Sequence, residues 1–378
     1  MYMQKVNLTE IDIKMSPYKF IIKKIWILFT TFIIWIGANK SQMKNINARI
    51  FYGGAISGNK GGPRVKLLRL QNQFPQKYTN FNVFYALSNY PNLNFTGLNI
   101  LRTRNIPIVL NQNGAYWQGW YGDGWEKKNS MNAFLYQNCD FVFWQSSFAK
   151  EVSRKYLSTT DPNGEILFNA IDLDFFHPVR AHRNRKTFNF LVAGNFNWKS
   201  VYQIQGALEA YQTLPFNPYV KLRIAGVNDS IKKYIDLQIT RLKINNVIET
   251  TGSFTQYEIS KLLQDTDVYL ALKYMDTCPN LVIESLGSGV PVIYSSSGGT
   301  KELVNQTCGK GLEVDEDWLS KPKTPDTHCL AQAMVQSFDW SNDMRESARS
   351  RAEELFDVRK WYARHRIVFE DLLSKRFQ

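Results

Sequence analysis

Short apolar strands alternate with helix-length segments along almost the whole chain from residue 47. The pattern predicts strands at residues 48–52, 106–110, 141–144, 188–193, 222–225, 268–272 and 290–294. Such alternation is typical of parallel sheets joined by crossover helices. The chain is therefore predicted to be an α/β protein.

A polar and basic segment at residues 176–187 divides this pattern, which predicts a linker between two lobes. A length of 378 residues suits two domains. The predicted organisation has four parts: an N-terminal basic and apolar extension (1–46), a first Rossmann-like lobe (47–180), a second one (181–342) and a helical C-terminal segment (343–378).

The extension contains an apolar run at residues 25–38, with Lys23 and Lys24 before it and Lys40 after it. As a helix this run reaches about 21 Å, less than the roughly 30 Å hydrocarbon core of a bilayer. It suits a signal segment, an interfacial helix or a tilted anchor, and the alternative is a buried core helix. We expect membrane contact through residues 20–40, although translation starting at Met43 would leave this segment out.

Charge and cysteines exclude several classes of protein. The formal charge is +13, of which +6 lies in the first 50 residues. The remainder carries no nucleic-acid-binding motif, so a nucleic-acid partner is not expected. The four cysteines form no C-x-x-C pair, which argues against a zinc ribbon and for reduced thiols in a cytoplasmic protein. A location at the cytoplasmic face of a membrane is compatible with the extension.

The most informative string is DTCPNLVIESLGSGVPVIYSSSGGTKE, residues 276–302. Pro279 suits the first turn of a helix, whose free amides at residues 278–281 would form an anion site for a phosphate. Glu284, a turn or more inside that helix, could accept hydrogen bonds from ribose hydroxyls. Asp276 precedes the helix and could hold sugar hydroxyls. These residues predict a nucleotide-sugar site.

This string resembles the donor site of retaining glycosyltransferase family 4, whose members have the two-lobed GT-B fold with parallel sheets facing a cleft. The family's acid-x7-acid pair usually begins with Glu, and Asp276 stands in that place. The resemblance extends in order over about residues 47–375. It implies that a nucleotide diphosphate sugar binds the second lobe, that an acceptor binds the first, and that residues 356–373 form a final helix returning to the first lobe.

The resemblance also implies a set of site residues. Lys199 matches the family's pyrophosphate-binding Lys, whereas Asn195 stands where an Arg is usual, so that Lys273 or Arg64 would have to supply the second cation. Lys199, Asp276 and Glu284 are the predicted catalytic residues. The predicted donor-binding residues are Gly61, Gly62, Gly194, Asn195, Thr277, Cys278, Pro279, Asn280 and Leu281.

The first lobe departs from the family at the end of its 106–110 strand, where a His is common. Gln112 or Asn113 occupies that place, and the four His of the chain are interpreted as linker or surface residues. An aromatic loop follows at residues 110–129 and suits stacking on sugar or lipid. Gln112, Asn113 and Asp123 are the predicted acceptor-binding residues.

The resulting prediction is a retaining hexosyltransferase that acts on a glycan or lipid-linked acceptor, in cell-surface polysaccharide or glycolipid synthesis. Three Asp-x-Asp strings do not require a metal, and no metal or cofactor is expected beyond the donor substrate. A catalytically degenerate GT-B scaffold or sugar-binding protein is the alternative. A second alternative is a protein whose main function is membrane binding by its N-terminus.

Overall fold

The computed structural model describes residues 17–38, 47–178, 187–244 and 248–375. The predicted linker falls largely outside them, as do His182, Met43 and much of the predicted extension. Phe176, assigned to the linker by the sequence pattern, is instead a buried core residue at 1% exposure, and in this respect the prediction was wrong.

The first lobe is a five-stranded sheet with the strand order β1-β2-β3-β4-β5, all parallel. A helix, α1 (Pro17–Gly37), precedes it. The lobe then comprises β1 (Ile50–Phe51), α2 (Gly62–Gln73), β2 (Val83–Leu87), α3 (Phe95–Thr103), β3 (Ile108–Gln112), α4 (Gln118–Tyr121), α5 (Trp125–Asn138), β4 (Phe141–Trp144), α6 (Ser147–Tyr156) and β5 (Gly164–Ile166).

The second lobe is a six-stranded parallel sheet with the order β11-β10-β9-β6-β7-β8. It comprises β6 (Phe188–Phe196), α7 (Tyr202–Gln212), β7 (Val220–Val227), α8 (Asp229–Leu242), β8 (Ile248–Thr251), α9 (Gln256–Gln264), β9 (Val268–Ala271), α10 (Asn280–Gly287), β10 (Val292–Ser296), α11 (Thr300–Leu303), β11 (Gly309–Glu313) and α12 (Thr327–Gln336). The predicted α/β class with two parallel sheets is confirmed. The structure adds β2, β5, β8 and β11 to the predicted strands.

The C-terminal segment forms two helices, α13 (Asn342–Leu355) and α14 (Val358–Lys375). Ala348 and Ala352 of α13 join the core of the second lobe around α10. α14 packs on the sheet of the first lobe, where Trp361 and Phe369 share a core with strand residues of β1 and β2. The chain therefore crosses back between the two helices.

The buried His365 of α14 contradicts the surface assignment made from sequence. Its side chain is fully buried, and its ring nitrogens lie 2.9 Å from the Tyr85 hydroxyl and 2.8 Å from the Trp361 carbonyl. Burial lowers the pKa of His365 to about 3. The ring is thus a neutral core group that fixes α14 to β2.

Helix α1 lies against the first lobe by one face. Ile33 and Ile34 are buried in that lobe's core, and the Trp26 indole donates to the Gly54 carbonyl at 2.8 Å. The buried-helix alternative therefore describes one face of α1. Among the described residues, no helix combines the length and apolarity needed to cross a bilayer.

Candidate functional site

The strand order of the second sheet defines where a ligand can bind. β6 lies between β9 and β7, so the connections after β6 and β9 leave the sheet in opposite directions. In open parallel sheets this switch point, at the carboxyl ends of the strands, leaves a crevice for ligands. The segment after β6 contains Lys199, and the segment after β9 contains Asp276. The topology thus brings the two predicted catalytic segments to one edge.

Helix α10 begins at this edge. Pro279 is its N-cap residue rather than its first helical residue, and Asn280 is the first. The amides of Val282 and Ile283 bond to the Pro279 carbonyl at 3.2 and 3.4 Å. The amides of Asn280 and Leu281 are those that helix geometry leaves for a ligand, so a phosphate could dock there.

Asp276 is held rigidly ahead of the helix. One carboxylate oxygen accepts from its neighbouring Thr277 amide at 2.8 Å, and the other pairs with Lys273 at 3.0 Å. The side chain is 15% exposed. Lys273, one of the two residues predicted to replace the missing Arg, therefore lies beside the predicted sugar-binding carboxylate.

The glycine pair after β10 allows this arrangement. The Gly299 amide donates to the Asp276 carbonyl at 2.7 Å, and a Cβ at Gly299 would lie 2.0 Å from the Thr277 carbonyl oxygen. A side chain there would push the two segments apart. The string at residues 276–302 therefore folds back on itself and fixes the loop before α10.

The glycine-rich loop of the first lobe faces the start of α10 across the cleft. Gly61 and Gly62 are exposed, and a Cβ on Gly62 would lie 3.2 Å from the Asn280 side-chain nitrogen. A Cβ at Gly114 would lie 3.0 Å from the Thr277 methyl group. Two first-lobe glycines thus permit a close approach of the lobes at the predicted donor site.

Glu284 is 1% exposed and pairs with a residue that the sequence analysis did not single out. Its carboxylate lies 3.2 Å from the Arg69 guanidinium of α2. Arg69 also donates to the Gln256 side chain at 2.9 Å and to the Ala170 carbonyl at 2.6 Å. Burial raises the pKa of Glu284, and the Arg69 charge opposes this shift. In this closed arrangement the Arg69 guanidinium pairs with the Glu284 carboxylate that is predicted to bind ribose.

Lys199 lies at the surface between the two lobes. Its ammonium donates to the Tyr121 carbonyl at 3.0 Å and lies 4.9 Å from the centre of the Tyr121 ring. Gly194 is half-buried at the end of β6, and Asn195 beside it is exposed. The other proposed substitute cation, Arg64, folds over Gly58 in the glycine-rich loop.

The predicted acceptor residues do not form one group. Gln112 is fully buried and donates to the Gly114 carbonyl at 2.5 Å, whereas Asn113 exchanges hydrogen bonds with Ser88. Asp123 is exposed. Gln112 therefore shapes the backbone of the strand end, while Asp123 lies out on the aromatic loop.

The aromatic loop packs largely on itself and on the second lobe. Tyr116 and Trp120 stack with their ring centres 5.1 Å apart. Trp117 is buried, with its ring edge-on to Trp318 at 5.3 Å. These rings help to hold the lobes together, whereas the Trp120 ring is exposed at 38%.

A buried polar chain lies below the glycine-rich loop. The Lys66 amine of α2 donates to the Asn111 side-chain oxygen at 2.9 Å, and the Gln145 amide donates to the same oxygen at 2.9 Å. Asn169 continues the chain from Gln145 to the Cys278 carbonyl at 3.1 Å. Burial lowers the pKa of Lys66 to about 7. This chain connects the strand ends of the first lobe to the loop before α10.

Sequence reasoning missed Lys66 and Arg69. Both lie on a helix that also carries exposed polar residues, so their charges look like part of a solvated face. The available signal was their position one and two turns after the glycine-rich loop. Among the described residues, no group of three His, Cys, Asp or Glu side chains is arranged to hold a metal ion.

Comparisons with known proteins locate the same region. Residues 177–321 match the family model "Glycosyl transferases group 1". The "Uncharacterized glycosyltransferase MJ1607" of Methanocaldococcus jannaschii is 22% identical over 263 residues, 65% of this chain and 64% of that protein. The match thus spans slightly less than two thirds of this relative's own length.

Solved structures share the arrangement of both lobes. Sucrose-phosphate synthase from Thermosynechococcus elongatus superposes with a TM-score of 0.65 at 16% identity, covering 83% of this chain and 78% of that one. Anabaena HepE in complex with UDP gives 0.63 at 14% identity, with coverages of 84% and 86%. The chain has the GT-B fold, and residues 177–321 in its second lobe match the glycosyl transferases group 1 family.

Proposed function

We propose that this protein is a retaining glycosyltransferase that moves a hexose from a nucleotide diphosphate sugar to a glycan or lipid-linked acceptor. The observation that carries the proposal is the meeting of Gly62 with Asn280 at the start of α10, at the switch point of the second sheet. A diphosphate placed there would receive helix amides from one lobe while the other lobe covers it without steric hindrance.

Structural neighbours support the donor class. HepE has been solved with UDP and also with UDP-glucose, the latter with a TM-score of 0.58 at 14% identity. The family model covers the segment that contains Lys199, Asp276 and Glu284. These comparisons favour a nucleoside diphosphate sugar over a nucleoside triphosphate or a dinucleotide as the ligand of the cleft.

The proposed reaction breaks the bond between the anomeric carbon and the leaving diphosphate oxygen. Lys199 and the amides of Asn280 and Leu281 stabilise the charge that develops on the diphosphate. The acceptor hydroxyl forms the new bond on the face from which the diphosphate leaves, and a diphosphate oxygen takes the hydroxyl proton. The step needs no histidine, so the absence of a His near Gln112 is compatible with it. Closure of the lobes excludes water from the cationic sugar.

Ribose recognition at Glu284 requires a change in its partner. The carboxylate oxygen that pairs with Arg69 must be released, or the ribose must bind the other oxygen once the lobes separate. Arg69 spans both lobes, because it also contacts Gln256. The contact between Arg69 and Glu284 is therefore expected to weaken as the donor enters, before the lobes close over the donor for transfer.

Calorimetric titration of the full chain with UDP, GDP and ADP, without added metal, tests the donor site. We expect one nucleotide to bind, and Gly62→Val to weaken binding because its side chain would press on the Asn280 side chain. Glu284→Gln should weaken binding about tenfold or more through the lost charge-assisted hydrogen bonds. Glu346→Ala, at an exposed position of α13, is the matched control.

Absence of binding to any of the three nucleotides by folded protein would contradict the proposal. That result would favour the degenerate scaffold, which the exposed Asn195 in the place of an Arg already suggests as the second candidate.

A further inference from the structure

Helix α1 presents two different faces. Its inner face is fixed to the first lobe by the Trp26 hydrogen bond to Gly54 and by the Thr31 hydroxyl, 3.0 Å from the Asn94 side chain. Near its end, Gly37 lies so close to the Tyr78 carbonyl that a Cβ there would be 2.0 Å from the oxygen. The helix is thus attached along its length and cannot rotate to bury its other face.

The outer face is a continuous apolar stripe. Ile21, Ile25, Leu28, Phe32 and Trp35 recur at intervals of four and three residues, so they lie in one row on the helix. Their exposed fractions run from 53% to 65%. A row of large apolar side chains in water marks a surface that another molecule or phase covers.

Basic charge accompanies this stripe. Lys24 is exposed beside Ile21 and Leu28, whereas Lys23 lies half-buried on the inner row with Trp26. The first 50 residues carry a net charge of +6. A second copy of the chain on the stripe would bring these like charges toward each other across a two-fold axis. An anionic surface complements them instead.

We propose that the outer face of α1 docks on an anionic lipid surface, with the helix axis lying parallel to that surface. The apolar row enters the boundary between headgroups and acyl chains, and Lys24 contacts lipid phosphates. Trp35 stays at the interface, where indole rings are favoured.

The position of α1 gives this contact a consequence for the acceptor. The Trp26 indole donates to the Gly54 carbonyl, and the residues after Gly54 lead directly into the glycine-rich loop that faces α10. A lipid-linked acceptor could therefore reach the cleft from the membrane without leaving it. This consequence rests on the proposed function, whereas the lipid contact itself does not.

Vesicle co-sedimentation of the full chain tests the contact. Vesicles of phosphatidylcholine mixed with phosphatidylglycerol are compared with vesicles of phosphatidylcholine alone. We expect binding to the anionic vesicles that weakens as salt rises. Ile25→Glu combined with Leu28→Glu should reduce binding about tenfold or more. Phe216→Glu combined with Leu237→Glu, at positions 86% and 63% exposed on the second lobe, is the matched control and should bind normally.

A further variant isolates the charge. Lys24→Gln should weaken binding to anionic vesicles and leave the weak binding to neutral ones unchanged. Thermal unfolding and UDP titration of each variant show that the fold and the nucleotide site are retained, so that loss of vesicle binding and loss of donor binding are read separately.

Three results would overturn the proposal. The first is that the full chain does not bind anionic vesicles. The second is that the α1 variant and its control bind equally. The third is that the chain forms a dimer that the α1 variant dissociates, without vesicle binding, since α1 would then be an interface between two copies.

Discussion

The two lobes furnish the cleft in different ways. The second lobe contributes mainly backbone, at the Asn280 end of α10 and at the Gly299 turn, and its side chain Asp276 is fixed by local contacts. The first lobe contributes the long cationic side chains of α2, Lys66 and Arg69, which reach buried partners. The start of α10 is therefore fixed within the second lobe, whereas the partner of Arg69 depends on how the lobes meet.

The largest expected effect comes from breaking the Arg69–Glu284 pair. Glu284→Ala leaves the Arg69 guanidinium, only 13% exposed, without its anionic partner. We expect a loss of about 3 to 5 kcal/mol in the free energy of unfolding, measured with denaturant. Arg69→Met combined with Glu284→Ala removes the unpaired charge as well and should restore most of it, and Arg69→Met alone completes the cycle. Additive losses in this double-mutant cycle would mean that the pair does not couple the lobes.

The buried amine of Lys66 predicts a pH dependence. Between its folded pKa of about 7 and its ordinary 10.5, the amine is neutral when folded but protonated when unfolded, so unfolding takes up a proton. The free energy of unfolding therefore rises with pH in this window, by at most about 1.4 kcal/mol per pH unit. As the pH falls from 10.5 to 7 this stabilisation is lost step by step, and below 7 none of it remains.

Comparing the wild type with Lys66→Met at several pH values isolates this contribution. The difference in unfolding free energy between the two proteins should change in favour of the wild type as the pH rises. A difference that stays constant with pH would show that Lys66 is charged in the folded protein.

Lys199 should affect chemistry without affecting stability. Lys199 is exposed, and its ammonium contacts Tyr121 across the cleft. Lys199→Ala is expected to lower the transfer rate about 100-fold, as for removal of one stabilising donor, and to leave the melting temperature unchanged. Lys232→Ala, an exposed lysine on α8, is the control. A rate equal to the control would remove Lys199 from the catalytic set.

The smallest expected effect concerns a helix cap between the lobes, in which a second-lobe side chain caps a first-lobe helix. The Glu302 carboxylate of α11 accepts from the Ser147 and Phe148 amides at the start of α6, at 2.7 and 2.8 Å. Glu302→Ala should cost about 1 kcal/mol of unfolding free energy, typical of a lost helix cap. A cost within error of zero would mean that the lobes are apart in solution.

The sequence predicted the backbone features better than the side-chain ones. β4 was predicted with its observed bounds, and Pro279 marked the start of α10 within one residue. β2 was missed, although it is buried on both faces like the predicted strands. The segment before it, residues 78–82, has a less clear turn signal than the segment before β10.

Long-range pairing explains the remaining errors. His365 was interpreted, with the other histidines, as a linker or surface residue, but it is buried against Tyr85, 280 residues earlier. Arg69 and Glu284 are 215 residues apart. Local patterns carry no information about such pairs. They show which side chains a helix carries but not what lies opposite.

The measurement that tests the central claim most directly is release of nucleoside diphosphate from whichever nucleotide sugar the full chain binds. Chromatography would follow it over time beside the Lys199→Ala and Lys232→Ala variants. The proposed function predicts release above background in the wild type and the Lys232→Ala control, and much slower release in Lys199→Ala. A donor that stays bound but intact, with any lipid or glycan acceptor present, would contradict glycosyl transfer and identify a sugar-binding GT-B protein.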